Sequence, residues 1–386
     1  MLYNWVPEQQ EVRDRVKAFC EEHVVPFSQA WDRRPPEFPE EIFQKMAKEG
    51  FVGFPSSKEY GGRGESKIRY ATLIEEMSKY DGAVGIVMAV AVLASYPIEK
   101  YGTEEQKRKY LPPMARGEVK GAFSLTEPEA GSDAANQQTR AVDKGDHYLV
   151  NGEKIFTQSG NVADVFVLIC RIMESEDQPL EKGKVSALIF DDINDPGFTA
   201  EMIEHKMGIR TATTGHLWFK DVKIPKENLL GPVGKGFRIA LSTLDSARIG
   251  VAAQALGIAQ RAFDESVAYA KKRVQFGKPI GMFQAIQWMV ADMATRIDAA
   301  RLLTYRAAQL EDQGDVRYSR EAAMAKLFAS ETATFCADCA MQIHGGYGYC
   351  GEFSDIEHIY RDARITRIYE GTSEVQRMVI GLSYLR

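Results

Sequence analysis

The order of textures along the chain constrains its fold more than any single motif. Helical periodicity runs to residue 120, short β-prone runs follow, and long amphipathic helix patterns return after Gly234-Lys235-Gly236. In the first stretch Val12, Val16, Phe19 and Cys20 form an apolar stripe at helical spacing. Residues 7–50 read as two helices, broken at Pro35-Pro36, with Pro39 opening the second over residues 40–48. Further helices are predicted over residues 68–80 and 83–98; the latter is almost wholly apolar, so it is buried or lines a greasy cavity. Gly102-Thr103-Glu104-Glu105 starts a short helix that ends at Pro112-Pro113. From Gly121 the pattern changes. Residues 148–156 give a strand–turn–strand signal with Asn151-Gly152 at the turn, and residues 165–170 and 185–190 read as buried strands. Residues 198–204 and 216–222 add two more. The last stretch holds helices over residues 237–272, 285–312 and 319–344, then a final pair over residues 362–367 and 374–385. The reading is an α+β chain: a helical part (residues 1–120), a small β barrel or sandwich (121–232) and a helix bundle (233–386).

Bulk properties exclude several classes. The net charge of −6 argues against a broad nucleic-acid-binding surface. No apolar run reaches the roughly 18–20 residues of a membrane span. The start, Met1-Leu2-Tyr3-Asn4-Trp5-Val6-Pro7-Glu8, lacks the features of a signal peptide. Five cysteines point to free thiols in a reducing compartment, hence a cytoplasmic protein, or one of the mitochondrial matrix if a transit peptide has been removed. Cys336 and Cys339 form a CxxC on a helical pattern, with no second pair to complete a metal site, and read as core.

Four stretches carry chemistry. Tyr369-Glu370-Gly371-Thr372-Ser373 lies at a break between helical patterns, where Gly371 permits unusual backbone angles and Thr372 and Ser373 suit the start of the next helix. Glu370 there either ends a helix or acts as a general base. Phe123-Ser124-Leu125-Thr126-Glu127-Pro128-Glu129-Ala130-Gly131-Ser132-Asp133 leaves the first strand with backbone amides and hydroxyls suited to phosphate or ring heteroatoms. Gly346-Tyr347-Gly348-Tyr349-Cys350-Gly351 matches GxGxxG, but it follows a helix rather than a strand, which argues against a dinucleotide fingerprint. Lys271-Lys272-Arg273-Val274-Gln275-Phe276-Gly277-Lys278 reads either as a helix C-terminus ended by glycine or as a pyrophosphate contact.

Together these stretches, with Gln342-Ile343-His344-Gly345-Gly346, resemble the acyl-CoA dehydrogenase family over essentially the whole chain. The resemblance implies an α-helical N-terminal domain, a middle β-barrel domain and a C-terminal four-helix bundle. It implies FAD as cofactor, a homotetramer, an acyl-CoA thioester as substrate and electron-transferring flavoprotein as electron acceptor. Phe123, Leu125, Thr126, Gly131 and Ser132 would contact the flavin, Ser132 also touching CoA, and Phe156, Thr157 and Gln158 would lie against its ring. Arg273, Phe276 and Gln284 would reach the FAD of a neighbouring subunit, where Gln342, Gly345 and Gly346 meet its adenosine end and Thr372 and Glu374 finish the site. Asp245 and Arg248 would hold CoA, with Tyr369 and Gly371 on the substrate side. Many members carry Trp where Phe156 stands and Thr where Gln158 stands.

Glu370 occupies the family's usual base position, and Ala247, where some relatives place the base instead, cannot take a proton. The reaction implied is α,β-dehydrogenation, with the Glu370 N–H and a flavin hydroxyl aimed at the thioester oxygen. Members acting on glutaryl-CoA carry an Arg near Gly85; no charge lies between Asp81 and Glu99 here, so the acyl tail is uncharged. Ala89, Ala91 and Ala94 leave width for a short or branched aliphatic group, or an alicyclic one such as cyclohexane- or cyclohexene-carboxyl-CoA. An acyl-CoA oxidase and a non-enzymatic assembly factor or nucleic-acid-binding relative are the rival readings.

Overall fold

The computed structural model describes residues 5–34, 36–314 and 317–385. The first helices are α1 (Pro7–His23), α2 (Ser28–Arg33), α3 (Glu40–Lys48), α4 (Lys67–Tyr80), α5 (Gly82–Tyr101) and α6 (Glu104–Ala115). Residues 7–50 thus hold three helices rather than two. The extra one, α2, buries Ser28 and Asp32, polar groups that give no apolar stripe to read. Pro35 and Met1 to Asn4 lie outside the described residues. The apolar run becomes α5, whose N-terminus is capped by Asp81: its carboxylate accepts from the Ala83 and Val84 amides at 2.8 and 2.9 Å. At 20 residues α5 is long and apolar enough to cross a membrane, contrary to expectation, but it lies mostly buried in the main core. The helix α6 also outruns its prediction, continuing through Pro112-Pro113 to Ala115. Both prolines fall in the last turn, so their missing N–H bonds and the crowding of their rings against the preceding turn are confined to the helix end, and Leu111 and Met114 stay buried.

The middle strands are β1 (Gly121–Ser124), β2 (Arg140–Asp143), β3 (His147–Gln158), β4 (Val165–Met173), β5 (Lys184–Phe190), β6 (Phe198–Met202), β7 (Thr214–Pro225) and β8 (Leu229–Leu230). They form one eight-stranded mixed sheet in the order β6-β7-β3-β2-β4-β5-β8, with β1 added parallel to β4. The sheet wraps a core in which Phe166, Phe190, Phe198 and Phe219 meet edge-on. Asn151-Gly152 is not a hairpin turn. It is a bulge inside the continuous β3, where the register with β7 shifts. Gly152 is needed because its φ is 148° and a Cβ there would sit 2.6 Å from Thr139 Oγ1. The sheet docks on the helices through β1: a Cβ on Gly121 would stand 2.6 Å from that of Ala94 on α5 and collide with Met114 on α6.

The chain then forms α7 (Gly236–Lys272), a hairpin of β9 (Val274–Gln275) and β10 (Lys278–Pro279), α8 (Gln284–Asp312), α9 (Ser319–His344), the short α10 (Gly346–Tyr349), α11 (Ile356–Ile365) and α12 (Ser373–Leu385). The helix α7 ends at Lys272; Gly277 sits with Phe276 in the left-handed turn of the hairpin rather than ending the helix. Cys336 and Cys339 are buried in the alanine-rich face of α9. A buried ion network ties the layers together. His358 on α11 lies 3.2 Å from Asp362, 3.3 Å from Asp355 and 3.7 Å from Asp32 on α2, while Arg361 pairs with Asp32 and Arg261 on α7 with Asp355. Burial pulls the His358 pKa down, but Asp362 and Asp355 push it well above the ordinary imidazole range.

Candidate active site

Glu370 lies in the turn between α11 and α12, with φ of 53°, followed by Gly371 at 89°. A left-handed conformation at a non-glycine residue costs about 1–2 kcal/mol, so the turn needs outside support, and it has several braces. Gln376 on α12 donates its side-chain amide to the carbonyls of Glu370 (3.1 Å) and Gly371 (2.9 Å). Lys326 on α9 donates to the Gly371 carbonyl at 2.6 Å. The Ser373 amide closes the loop onto the Arg367 carbonyl, and the Tyr369 hydroxyl bonds Gln254 of α7, which donates in turn to the Gly82 carbonyl at 2.9 Å. Thr372 accepts from the Val375 amide at 3.3 Å and so begins α12. With both carbonyls turned inward, the Glu370 N–H makes no hydrogen bond within the protein among the described residues.

The Glu370 side chain is equally poised. Its Oε2 is buried without a hydrogen-bond partner, as is Nε of Arg248. Burial raises the Glu370 pKa above the usual carboxylate range, and the nearby Arg248 and Lys326 charges oppose this in part. Arg248 is 4% exposed and pairs with Asp245 at 2.6 Å; Asp245 also accepts from Ser319 at 2.8 Å. Beside α5 and α7, the buried Tyr70 donates to the Ala89 carbonyl at 3.4 Å, and a Cβ on Gly250 would lie 3.2 Å from its hydroxyl. At Gly85 a Cβ would run into the Ser78 hydroxyl of α4, so this position packs α5 closely against α4.

The loop after β1 is stapled to β3. Ile155 N–H donates to the Thr126 carbonyl at 2.9 Å, and buried Lys154 donates to the Leu125 carbonyl at 3.2 Å and to Glu127 and Gln137 at 2.6 Å each. Phe123 and Thr126 are half-buried, Leu125 is buried, and Gly131 and Ser132 are exposed. At the end of β3, Phe156 adopts a φ of 57° and leaves its ring 64% exposed, beside the buried Thr157, whose hydroxyl lies 3.4 Å from that of Ser124. The Gln158 amide donates to the Thr213 carbonyl at 2.7 Å and accepts from Thr214 at 3.3 Å, so its longer side chain is engaged along the sheet. An apolar ring left bare beside a backbone-rich loop suits a flat heteroaromatic such as a flavin.

A third group gathers at the other end of the bundle. Arg273, Gln342, Gly345 and Gly346 line a cleft of about 500 Å³, and a Cβ on either glycine would meet nothing within 4 Å. Arg273 stacks over Tyr347 at 5.2 Å; Phe276, at the hairpin tip, is 91% exposed and Gln284 stands exposed at the start of α8. Glu374 is exposed on the first turn of α12. Sequence reasoning missed Lys326, Gln376, Gln254, Glu127 and Lys154. Lys326 left a signal: it falls on the stripe Ala322, Ala329, Ala333, where a lysine has no packing reason to be.

A buried carboxylate in a strained turn, an exposed ring on a β face and a polar cleft supply a base, a flat apolar seat and a polar groove, the parts that the resemblance to flavin-dependent enzymes acting on acyl thioesters calls for. Comparison with known proteins agrees. Residues 6–118, 122–222 and 234–385 match the N-terminal, middle and C-terminal domains of acyl-CoA dehydrogenase. The chain is 46% identical, over 98% of both sequences, to the short-chain specific acyl-CoA dehydrogenase of Clostridium acetobutylicum. It is 44% identical to the NADH-dependent acryloyl-CoA reductase of Anaerotignum propionicum, over 100% of this chain and 96% of that one. Among solved structures, butyryl-CoA dehydrogenase from Megasphaera elsdenii superposes with a TM-score of 0.93 at 43% identity, covering 100% of both chains. A chain in a structure of the electron transferring flavoprotein of Acidaminococcus fermentans gives 0.94 at 46% identity, covering 100% of this chain and 99% of that one. An acyl-CoA dehydrogenase complexed with FAD from Bacillus anthracis gives 0.91 at 34% identity, covering 99% of this chain and 68% of that one. The chain belongs to the acyl-CoA dehydrogenase family, and its cofactor is FAD.

Proposed function

We propose that this enzyme removes the α-proton of a short, uncharged acyl-CoA through Glu370, with hydride leaving the β carbon. The observation that carries this reading is the Glu370 turn: a buried carboxylate oxygen without a partner, on the same residue as a backbone N–H free of the protein's own hydrogen bonds. The N–H suits the thioester oxygen, where negative charge develops as the proton departs. Burial brings the carboxyl pKa toward the working range of a base. FAD, when bound, supplies the hydride acceptor. In this reading Phe123, Leu125, Thr126, Gly131, Ser132, Phe156, Thr157 and Gln158 hold the flavin, while Asp245 and Arg248 hold the CoA side, with Tyr369 and Gly371 beside the substrate.

A short tail is favoured by Tyr70, which fills the space between Ala89 of α5 and Gly250 of α7, and an uncharged one by the lack of charge on α5 between Asp81 and Glu99. The relatives named for short-chain and acryloyl substrates point the same way. A cyclohexane- or cyclohexene-carboxyl thioester is the alternative of greater width. Electron-transferring flavoprotein is the proposed redox partner, in keeping with the similarity to a chain from that assembly. Eighteen residues of α9 separate Lys326 from His344, about 27 Å at 1.5 Å per residue. That separation is in keeping with the resemblance, by which Arg273, Phe276, Gln284, Gln342, Gly345 and Gly346 serve the flavin of another copy in a proposed homotetramer, completed by Thr372 and Glu374.

The test is an anaerobic titration of the yellow protein with butyryl-, isobutyryl-, cyclohexanecarboxyl- and glutaryl-CoA. Bleaching that is fastest with butyryl-CoA and gives a 2,3-unsaturated product is expected, and glutaryl-CoA should fail. The Glu370→Gln variant should keep FAD and thioester binding and lose at least about 10³-fold in flavin reduction; near wild-type reduction would sink the assignment of the base.

A further inference from the structure

We infer that Lys326 and Gln376 are positioning residues for the proposed proton abstraction, gripping the carbonyls of the Glu370 turn so that its N–H and carboxylate face the thioester together. The inference rests on Glu370 being the base. Glu370 and Gly371 both hold positive φ angles, and their two carbonyls receive three donors from two helices: the Gln376 amide on both, and the Lys326 ammonium on Gly371. A trans peptide unit sets its carbonyl opposite the N–H of the following residue, so pinning these two carbonyls fixes the Gly371 and Thr372 N–H groups directly and holds Glu370 through its ψ angle. Tyr369, on the other side, is anchored by its amide on the Ile365 carbonyl and its hydroxyl on Gln254, so Glu370 and its own N–H are held between two fixed neighbours. Gln376 and Lys326 are each fully buried, and the Oε1 of Gln376 has no hydrogen-bond partner, so this amide is held for what its nitrogen donates. Gly371 leaves room for it, because a Cβ there would stand 2.6 Å from the Gln376 nitrogen.

Lys326 has a second effect. It faces Glu370 and Glu374 and, on the same side, the cations Arg248 and Arg367; burial lowers its own pKa to about 7. Its charge helps keep the Glu370 carboxyl from rising further. Removing it moves the acid limb of the rate profile to higher pH, an effect that a role in packing alone does not produce.

The experiment compares Lys326→Met, Lys326→Arg and Gln376→Leu with wild type and Glu370→Gln as FAD-loaded proteins. It reads anaerobic flavin reduction by butyryl-CoA against pH, and the yield of bound enolate from a 3-oxoacyl-CoA, which needs the oxygen-facing donor but no turnover. A displacement of the turn by about 1 Å predicts roughly a 10²-fold lower limiting rate. Lys326→Met and Gln376→Leu should show that loss, less enolate and an unchanged half-saturating thioester concentration. Lys326→Met alone should shift the acid limb upward, and Lys326→Arg should recover part of both. Wild-type rates and enolate yield in Lys326→Met and Gln376→Leu would overturn the inference while leaving Glu370 as base if Glu370→Gln is inactive. An active Glu370→Gln would overturn both. If Lys326→Met loses flavin, Gln376→Leu decides, since its amide touches only the two carbonyls; loss of flavin from both would also overturn the inference, because the pair would then hold the fold and not the turn.

Discussion

At residue scale, Glu370 joins two costs that a merely structural residue would avoid: a left-handed backbone and a buried carboxylate with one bare oxygen. Because burial raises its pKa and only the ionised form accepts a proton, flavin reduction should rise with pH through a limb above the ordinary glutamate range. A stopped-flow profile with a limb near pH 4 would contradict the burial argument. Gly371→Ala would place a Cβ at positive φ and against Gln376; a stability loss of about 1–2 kcal/mol and at least a tenfold slower reduction are expected, read by thermal melts and single-turnover kinetics. Glu370 itself was legible only through the motifs around it: alone, a glutamate beside glycine at a helix break reads as a helix-end residue, and the resemblance over the whole chain makes it a base. The residues that brace it were not. Gln376 and Gln254 look like ordinary polar positions of amphipathic helices until the turn they serve is brought beside them from elsewhere in the chain.

At the scale of elements, long periodic helices were readable to within a few residues, since each buries one stripe whatever its neighbours are; the short α11 was not, running over Ile356–Ile365 where residues 362–367 were expected, because its buried His358 and Asp362 break the apolar stripe. The misreadings fell where tertiary contacts override local preference. Asn151-Gly152 has turn composition, yet β7 pairs along the length of β3 and absorbs it as a bulge, with Asn151 and Asp221 bonded to each other at 2.9 and 3.0 Å. The loop after β1 is similar: its shape depends on Lys154, a buried cation whose partner Glu127 lies 27 positions earlier in the chain. Burial pushes the Glu127 pKa up, but Lys154 and two backbone amides bring it below the ordinary range, while burial pulls the Lys154 pKa down against the opposing pull of Glu127. Glu127→Gln strands the lysine charge and should cost about 3–5 kcal/mol together with weaker FAD retention. Adding Lys154→Met should restore much of the stability but not the grip on the Leu125 carbonyl, a separation that denaturation and flavin-release assays can resolve.

At the scale of the molecule, the His358 network clamps α2, α7 and α11 with an imidazolium at its centre. Its folded pKa is raised well above the usual 6.5, so its contribution to stability is complete below that value and disappears as pH rises through the folded pKa. Melting temperature should therefore fall on the alkaline side more steeply in wild type than in His358→Gln, whose melts should be lower at neutral pH. Assembly offers a separate check: Phe276→Ala, at an exposed hairpin tip, should release flavin on dilution and leave the monomer fold intact. The seam at β1, where the sheet meets α5 and α6 through Gly121, carries a consequence of another kind. The helices hold the group proposed to take the proton, and the sheet holds the proposed ring-binding face, so in that reading the two halves of the reaction ride on different slabs. Any slip along the seam, by warming or by a bulkier residue at position 121, would let the two events fall out of step. The bound thioester would then wash in solvent deuterium at its α carbon many times for each loss of yellow colour.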